Sequence, residues 1–264
     1  MWSKAWSIIE PLITNLVQTK KGLVVFDLET TGLSSVNDKI IEVAAIEYAI
    51  GEDFTLKELS VYHQYINPGR PLPEKIVELT GITDEKLKDM PSEDDCFGDI
   101  QEFFMNSVVS GYNVESFDVK FMKELYLRMG TEYSPEGVVD GIKMARDRLK
   151  KGTDVENHKL STVAGYYGIK FNAHSAIEDA RATGKLVEQL LKEYLSEKPV
   201  KGTERPKILS VAFWEGFKGF SRIYVQTDLG AVYFDLRTKL WGAKDGLEAK
   251  FDMGWLEAEA YKFI

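Results

Sequence analysis

Residues 24–33 read VVFDLETTGL, an apolar strand pattern that runs directly into two acids, Asp27 and Glu29. Because successive strand residues point to opposite faces, the two acids share one face and Leu28 points to the other, into the core. The TTG sequence that follows predicts a turn that would expose the end of the strand. Burying two ionised carboxylates side by side is costly, so either solvent or a cation must meet them. Paired carboxylates suit hard divalent cations such as Mg²⁺.

Composition limits the class of protein. The chain has 264 residues, of which 44% are hydrophobic and 12% aromatic, as is typical of a globular protein with a substantial core. The single cysteine, Cys96, excludes an intrachain disulfide and fits a reducing cytoplasm, where we expect the protein to act. No run of about 18 apolar residues occurs, so we expect no membrane span. The net charge of −9 disfavours broad attachment to duplex DNA, although bound cations could supply positive charge locally.

A change in composition divides the chain. Prolines, a glycine and mixed charges in SEKPVKGTERPK, residues 196–207, indicate a linker after a long helical pattern. We predict four parts: an N-terminal amphipathic helix over 1–20, an α/β domain over 21–196, a linker over 197–207, and a small β-rich domain over 208–264. The N-terminal helix should pack on the body through apolar residues spaced three or four apart, namely Trp2, Trp6, Ile9, Ile13 and Leu16.

The α/β domain opens with three strand patterns that predict an antiparallel meander: residues 23–27, 40–50 and 56–68. Helical patterns and two short strand patterns then alternate, so we expect a mixed sheet flanked by helices. The last helix should begin at Ala176, because Ser175 to Glu178 matches a capping box. Its apolar stripe predicts a buried face made of Ile177, Ala180, Val187, Leu190 and Tyr194.

Three further residues could join the two acids of the first strand. Asp118 falls in the first turn of a predicted helix, where a carboxylate could simply interact with the helix dipole. His174 lies just outside the last helix, and Asp179 lies about one turn inside it. Each of these residues taken alone is explained as readily by ordinary structure. The same holds for His63 in a strand pattern and His158 in a polar loop, which we interpret as structural or solvated.

Taken together, FDLETTGL, GYNVESFD and HSAIEDA resemble the three motifs of the DnaQ-like, or DEDDh, 3′–5′ exonucleases. This family includes proofreading subunits and domains of replicative DNA polymerases. The resemblance covers residues 20–195 approximately, keeps motif order and spacing, and includes the proofreading-type connector YHQYINPGRPLPEKIVELTGIT. It implies an RNase H-like fold, which agrees with the strand patterns.

The resemblance also implies the chemistry. Asp27, Glu29, Asp118 and Asp179 would ligate two divalent metal ions, Mg²⁺ or Mn²⁺, and His174 would be the general base. Two such ions can stabilise both the attacking and the leaving oxygen of an in-line displacement at phosphorus. Histidine suits proton removal from the attacking water near neutral pH. The product would be a nucleoside 5′-monophosphate, and the ions would be the missing partner of the strand-end acids.

The family positions that meet the terminal nucleotide correspond to Thr30, Thr31, Leu33 and Asn113, which we take as substrate-binding. The second motif departs from the common pattern, because Tyr112 stands where histidine is usual and one extra residue precedes Asp118. We expect the loop to absorb the extra residue, so the departure concerns contacts near Asn113 more than Asp118. Asp140 matches a recurrent strand-end acid, and we keep it outside the catalytic set as a cap of the next helix.

Residues 208–264 carry hairpin signals at 208–214, 220–227 and 231–238. Their aromatic residues could form the core of a small domain, stack single-stranded bases beside Arg222, Arg237 and Lys239, or serve partner docking or self-association. We favour the core. The aromatic residues are Phe213, Trp214, Phe217, Phe220, Tyr224, Tyr233, Phe234, Trp241 and Trp255.

We hypothesise a metal-dependent 3′–5′ exonuclease that acts on single-stranded or frayed DNA ends, without membrane association. Two alternatives stay open: an exoribonuclease that trims RNA ends, and a non-catalytic nucleic-acid-binding or replication-assembly module. Contacts with the 2′-OH, which would separate RNA from DNA, are not readable from the sequence. Residues 200–264 could recruit the domain to a polymerase or to another replication or repair protein.

Overall fold

The computed structural model describes residues 6–197, 205–215, 221–235, 240–243, 251–260 and 262. The chain forms two compact units, Met1–Ser196 and Glu197–Ile264. Several predictions fall on residues outside the described ranges: the packing of Trp2, most of the linker, and the roles of Phe217, Phe220, Arg237 and Lys239.

The first unit is built on a five-stranded mixed sheet with the order β3-β2-β1-β4-β5. The β1–β2 and β2–β3 pairs are antiparallel, and the β1–β4 and β4–β5 pairs are parallel. This arrangement confirms the predicted antiparallel meander within a mixed sheet. The strands are β1 (Leu23–Thr30), β2 (Ile40–Ile50), β3 (Leu56–Tyr65), β4 (Val108–Gly111) and β5 (Gly137–Asp140).

Helices cover both faces of this sheet. They are α1 (Trp6–Thr19), α2 (Glu74–Thr80), α3 (Asp84–Leu87), α4 (Glu93–Phe104), α5 (Asp118–Arg128), α6 (Gly141–Arg148), α7 (Leu160–Tyr166) and α8 (Ala176–Glu197). One core cluster joins α1, α6, α7 and α8 to the sheet face that contains Leu23 and Val25. A second cluster joins α4 and α5 to the opposite face, which contains Val24, Phe26 and Leu28. The face of β1 that contains Val25 is also the face of Asp27 and Glu29.

Local sequence signals place most helix ends. Ser92 caps α4 in a capping box with Asp95, and Gly81 ends α2 with a positive φ of 69°. The helix α1 buries Trp6, Ile9, Ile13 and Leu16, as its spacing predicts. The helix α8 begins at Ala176 and buries the predicted stripe, with Ile177 only partly buried.

The second unit is an antiparallel sheet with the order β6-β7-β8-β9. Its elements are β6 (Ile208–Glu215), β7 (Ser221–Thr227), β8 (Gly230–Asp235), β9 (Leu240–Ala243) and the helix α9 (Met253–Ala260). The sequence indicated the hairpins but not β9 or α9. Val225 and Val232 pack with Phe251, Leu256 and Ala260 in the core of this unit.

The aromatic residues of the second unit take two different positions. Trp241 and Trp255 pack against the core, as predicted. Tyr224 and Tyr233 lie on strand positions that alternate with the core residues, their ring centroids 5.7 Å apart, and Arg222 lies over the Tyr233 ring.

In the described parts of the chain, no helix is long and apolar enough to cross a bilayer.

Candidate active site

The end of β1 is open on one side, and Asp118 occupies the opening. The strand pairs with β4 only over Leu23–Val25, whereas its pairing with β2 continues to Thr30. Beyond the β4 pairing, the backbone N–H of Leu28 donates to Asp118 Oδ1 at 3.1 Å. Asp118 is the first residue of α5 and is buried. The first turn of α5 therefore carries the third acid to the strand that holds Asp27 and Glu29.

The loop before α8 carries His174 in an unusual backbone conformation. Its φ is 70°, a left-handed value that is uncommon for residues other than glycine. Its backbone N–H donates to Asp179 Oδ2 at 3.0 Å, which fixes the loop against the first turn of the helix. Ligand atoms of Glu29, His174 and Asp179 all lie within 4.8 Å of one another. The third motif thus meets the first motif, as the sequence predicts.

Burial and mutual repulsion oppose ionisation of the strand-end acids. Burial is the largest cause that raises the pKa of Asp27 well above its ordinary value, followed by the charges of Asp118, Asp179, Glu29 and Glu42. Burial also raises the pKa of Glu29, to about 8, with further contributions from Asp179, Glu42 and Asp118. A shift of this direction is expected where carboxylates share a site without a counter-ion.

The pKa values of Asp118 and Asp179 are also raised, although hydrogen bonds to these carboxylates act in the opposite direction. Burial raises the pKa of Asp118, although backbone N–H groups, including that of Leu28, act in the opposite direction. Burial raises the pKa of Asp179 to about 6, against the N–H and the charge of His174. Asp179 Oδ1 is buried without a hydrogen-bond partner among the described residues. The oxygen-rich donor set, the unsatisfied oxygen and the raised pKa values fit divalent metal ions, with Asp27, Glu29, Asp118 and Asp179 as the groups that would hold them.

The loop after β1 presents an exposed apolar side chain. Leu33 is 88% exposed, while the hydroxyls of Thr30 and Thr31 are occupied inside the loop. Arg70 donates to Thr31 Oγ1 at 2.7 Å and to Asp38 Oδ1 at 2.9 Å. The loop therefore offers Leu33 and backbone groups to a ligand, with the two threonines holding its shape.

Close packing explains the glycine of this loop. A Cβ atom added to Gly32 would lie 2.4 Å from Asp38 Oδ2, closer than any real contact. Asp38 also accepts the backbone N–H of Ser34 at 2.9 Å. Only glycine lets the loop close around this carboxylate.

The loop of the second motif is held by Asp140. Its carboxylate accepts the backbone N–H groups of Asn113 at 2.9 Å, Glu115 at 3.2 Å and Ile142 at 3.1 Å. Asp140 thus caps α6, as predicted, and also anchors the loop that carries the extra residue. Asn113 has a φ of 65° there. Tyr112 donates its hydroxyl to the backbone carbonyl of His158 at 2.8 Å, so the tyrosine that replaces the usual histidine has a packing role.

Sequence reasoning missed a fifth carboxylate. Glu42 is buried and lies opposite Glu29 in the β1–β2 register. Its Oε1 lies 2.7 Å from His63 Nε2, so His63 is part of the same surroundings and not simply solvated. The available signal was Glu42 itself, which stands between Ile41 and Val43 in a largely apolar part of β2, where a charge has no ordinary place.

The mixed sheet and the carboxylates clustered at the end of its central strand define a domain of the RNase H-like class. The sequence model of the RNase_T family, described as Exonuclease, matches residues 24–187. The chain belongs to this exonuclease family.

Related sequences include the PolC-type DNA polymerase III of several bacteria. The protein of Pediococcus pentosaceus is 35% identical over 171 residues, which is 64% of this chain and 11% of that protein. The proteins of Lacticaseibacillus paracasei and Bacillus subtilis are 39% and 36% identical, over the same shares of each chain. This chain therefore corresponds to a small part of these relatives.

Solved structures share the fold. E. coli Exonuclease I in complex with a dT13 oligonucleotide gives a TM-score of 0.57 at 17% identity and covers 82% of this chain and 55% of that one. An ExoI/SSB-Ct complex gives a TM-score of 0.55 at 17% identity, with the same coverage.

Proposed function

We propose that this protein is a metal-dependent 3′–5′ exonuclease that removes nucleotides from single-stranded or frayed DNA ends. The observation that carries the proposal is the convergence of Asp27, Glu29, Asp118, Asp179 and His174 at the end of one strand. These residues come from three separate segments of the chain. Membership of the exonuclease family and relatedness to PolC-type DNA polymerases support the reaction and the choice of DNA.

The reaction transfers a phosphoryl group to water. The water oxygen forms a bond to the terminal phosphorus, and the bond from that phosphorus to the 3′ oxygen of the preceding nucleotide breaks. The released nucleoside keeps its 5′-phosphate, and the shortened strand keeps its 3′ oxygen, which takes up a proton. Two bound Mg²⁺ or Mn²⁺ ions would neutralise the carboxylates and stabilise the attacking and leaving oxygens.

The residues of the chain supply position and proton transfer. His174 lies at the exposed side of the cluster and would accept the proton of the attacking water. Its loop is held by the bond from the His174 N–H to Asp179, so the imidazole approaches the site from a fixed backbone. Leu33 would pack against the terminal base, because an apolar side chain exposed on a hydrogen-bonded loop suits the flat face of a base.

Short 3′ ends fit the charge of the chain better than long duplexes do. The net charge is −9, so long-range attraction to a phosphate backbone is weak. Binding would depend on the metal ions and on the few contacts at the terminal nucleotides. The buried free Cys96 fits a reducing compartment, and we place the protein in the cytoplasm.

The test uses strands labelled at the 5′ end and incubated with Mg²⁺ or Mn²⁺, or with EDTA. We expect ladders that shorten from the 3′ end, mononucleotide 5′-phosphates, and no product in EDTA. Matched RNA strands in the same assay distinguish a deoxyribonuclease from an RNA-trimming enzyme. Full-length DNA at all times, or equal cleavage in EDTA, would exclude the proposal.

We further propose that the chain consists of the exonuclease domain at 21–196, preceded by the helix at 1–20, and a small domain at 208–264 joined by the linker at 197–207. The small domain would dock a replication or repair protein through residues 200–264. The PolC relatives and the ExoI/SSB-Ct neighbour suggest a replication setting. Pull-down from a replication extract with the full chain should recover such a protein, and a chain ending at residue 199 should not.

A further inference from the structure

Glu42 lies within the candidate active site although it is outside the three motif segments. It is 1% exposed and faces Glu29 across the β1–β2 ladder. A fifth carboxylate beside four others is unfavourable, because each adds repulsion that burial strengthens. Its presence there calls for contacts that offset this cost.

The contacts of Glu42 join three elements. Oε1 lies 2.7 Å from Nε2 of His63 on β3, and Oε2 accepts the backbone N–H of Ala176 at 3.4 Å. Ala176 is the first residue of α8 and lies between His174 and Asp179. Glu42 therefore connects β2, the strand that pairs with the Glu29 strand, with the segment that carries His174 and Asp179.

We propose that Glu42, held by His63, is a positioning residue that fixes the start of α8 and so sets the separation of Glu29 from His174 and Asp179. The inference rests on the proposed exonuclease activity. His63 restricts the rotation of the buried carboxylate, and the carboxylate in turn holds the helix terminus. Neither residue is among the five that the motifs assign to the reaction.

The direct test is Glu42→Gln, which keeps the size of the side chain but cannot accept hydrogen bonds at both terminal atoms. We expect kcat to fall about ten- to a hundredfold, as is common when a group that orients site residues is changed. The KM for a short single strand should stay within about threefold, since the terminal nucleotide contacts are intact. Glu47→Gln is the matched control. Glu47 lies on β2 like Glu42 but on the opposite sheet face, where its carboxylate accepts a hydrogen bond from the Ser60 hydroxyl on β3.

The role of His63 is tested by two substitutions. In His63→Gln, the amide nitrogen can take the place of Nε2 as a donor to Glu42, so kcat should stay within about threefold of the unchanged protein. In His63→Ala, the partner is absent, and kcat should approach the Glu42→Gln value. Rescue by glutamine is expected only if the hydrogen bond, and not the bulk of the ring, is what matters.

Hydrogen exchange in the metal-free proteins provides a readout that does not need activity. Glu42→Gln should exchange faster at residues 174–180, with β1 and β2 unchanged. Unchanged exchange together with unchanged kcat in Glu42→Gln would overturn the inference, and so would an equal loss of kcat in Glu47→Gln. Inactivity of the unsubstituted protein would instead overturn the proposed function, while the exchange result would still report on Glu42.

Discussion

Asp27 and His174 make different contributions to the site, and substitution should separate them. Asp27 is surrounded by the other acids, whereas His174 is exposed at their edge. His174→Asn should lower the rate by about 10²–10⁴, the usual contribution of a general base, and should leave Mn²⁺ binding intact. Asparagine tolerates a positive φ, so this change removes the imidazole without adding backbone strain. Asp27→Asn should lose more activity and should also weaken Mn²⁺ binding, measured by calorimetry.

The exposed Glu78 provides the control for this comparison, since Glu78→Gln removes a carboxylate remote from the motifs. It should match the unsubstituted protein in rate and in metal binding. Wild-type activity in Asp27→Asn would remove this residue from the metal-binding set. Loss of Mn²⁺ binding in His174→Asn would show that the imidazole is a ligand.

Among single residues, the sequence was informative where ordered motifs mark positions that the fold brings together. Asp27, Glu29, Asp118, His174 and Asp179 were predicted because three ordered motifs name them. The sequence did not predict Glu42 or Arg70, because their contacts join segments that are distant along the chain. Glu42 and Ala176 are 134 positions apart, and Arg70 and Thr31 are 39 positions apart. Neither separation leaves a periodic signal in the sequence.

Among the elements, the loop between β1 and β2 is the one that we propose contacts the substrate. Arg70→Ala would leave Thr31 and Asp38 without their shared donor, so the loop should hold Leu33 less well. We expect KM for a short single strand to rise several-fold, with kcat changed less, because the metal-binding acids lie outside the loop. Leu33→Ala should raise KM to a similar degree, by removing the apolar contact itself.

Val36 supplies the matched control in the same loop. It is 69% exposed and, like Leu33, an apolar side chain in solvent, but it is not among the substrate-binding residues predicted from the motifs. Val36→Ala should leave KM unchanged in steady-state assays. Equal effects of Val36→Ala and Leu33→Ala would mean that the loop acts through general hydrophobicity.

Elements were predictable to the extent that their signals were local. The patterns for β2 and for the start of α8 agree with the structure because a long apolar run and a Ser-x-x-Glu sequence mark them locally. The strand β1 continues through Glu29 to Thr30, beyond the predicted strand end at Asp27, since pairing with β2 supports it there. The strand β9 and the helix α9 were missed because their short apolar segments acquire structure from packing against Val225 and Val232.

For the whole molecule, the raised pKa values of the buried acids predict how its stability depends on pH and on metal ions. The pKa of Glu29 is raised from 4.5 to about 8 and that of Asp179 from 3.8 to about 6. Between the ordinary and the raised pKa of each group, the folded chain binds more protons than the unfolded chain. The free energy of unfolding therefore falls as pH rises through these ranges. In EDTA, the Tm should therefore be higher at pH 5.5 than at pH 8. Mn²⁺ should raise the Tm at pH 8 more than at pH 5.5, because it binds the ionised carboxylates of the folded chain alone.

Glu29→Gln isolates the contribution of the site from that of all other titrating groups. Of Glu29 and Asp179, Glu29 has the more strongly raised pKa. Its removal should therefore reduce the difference in Tm between pH 5.5 and pH 8 in EDTA. The stabilisation by Mn²⁺ at pH 8 should shrink with it. A pH dependence identical to that of the unsubstituted protein would show that repulsion at the end of β1 does not limit stability, and the paired acids would then need no cation to be tolerated there.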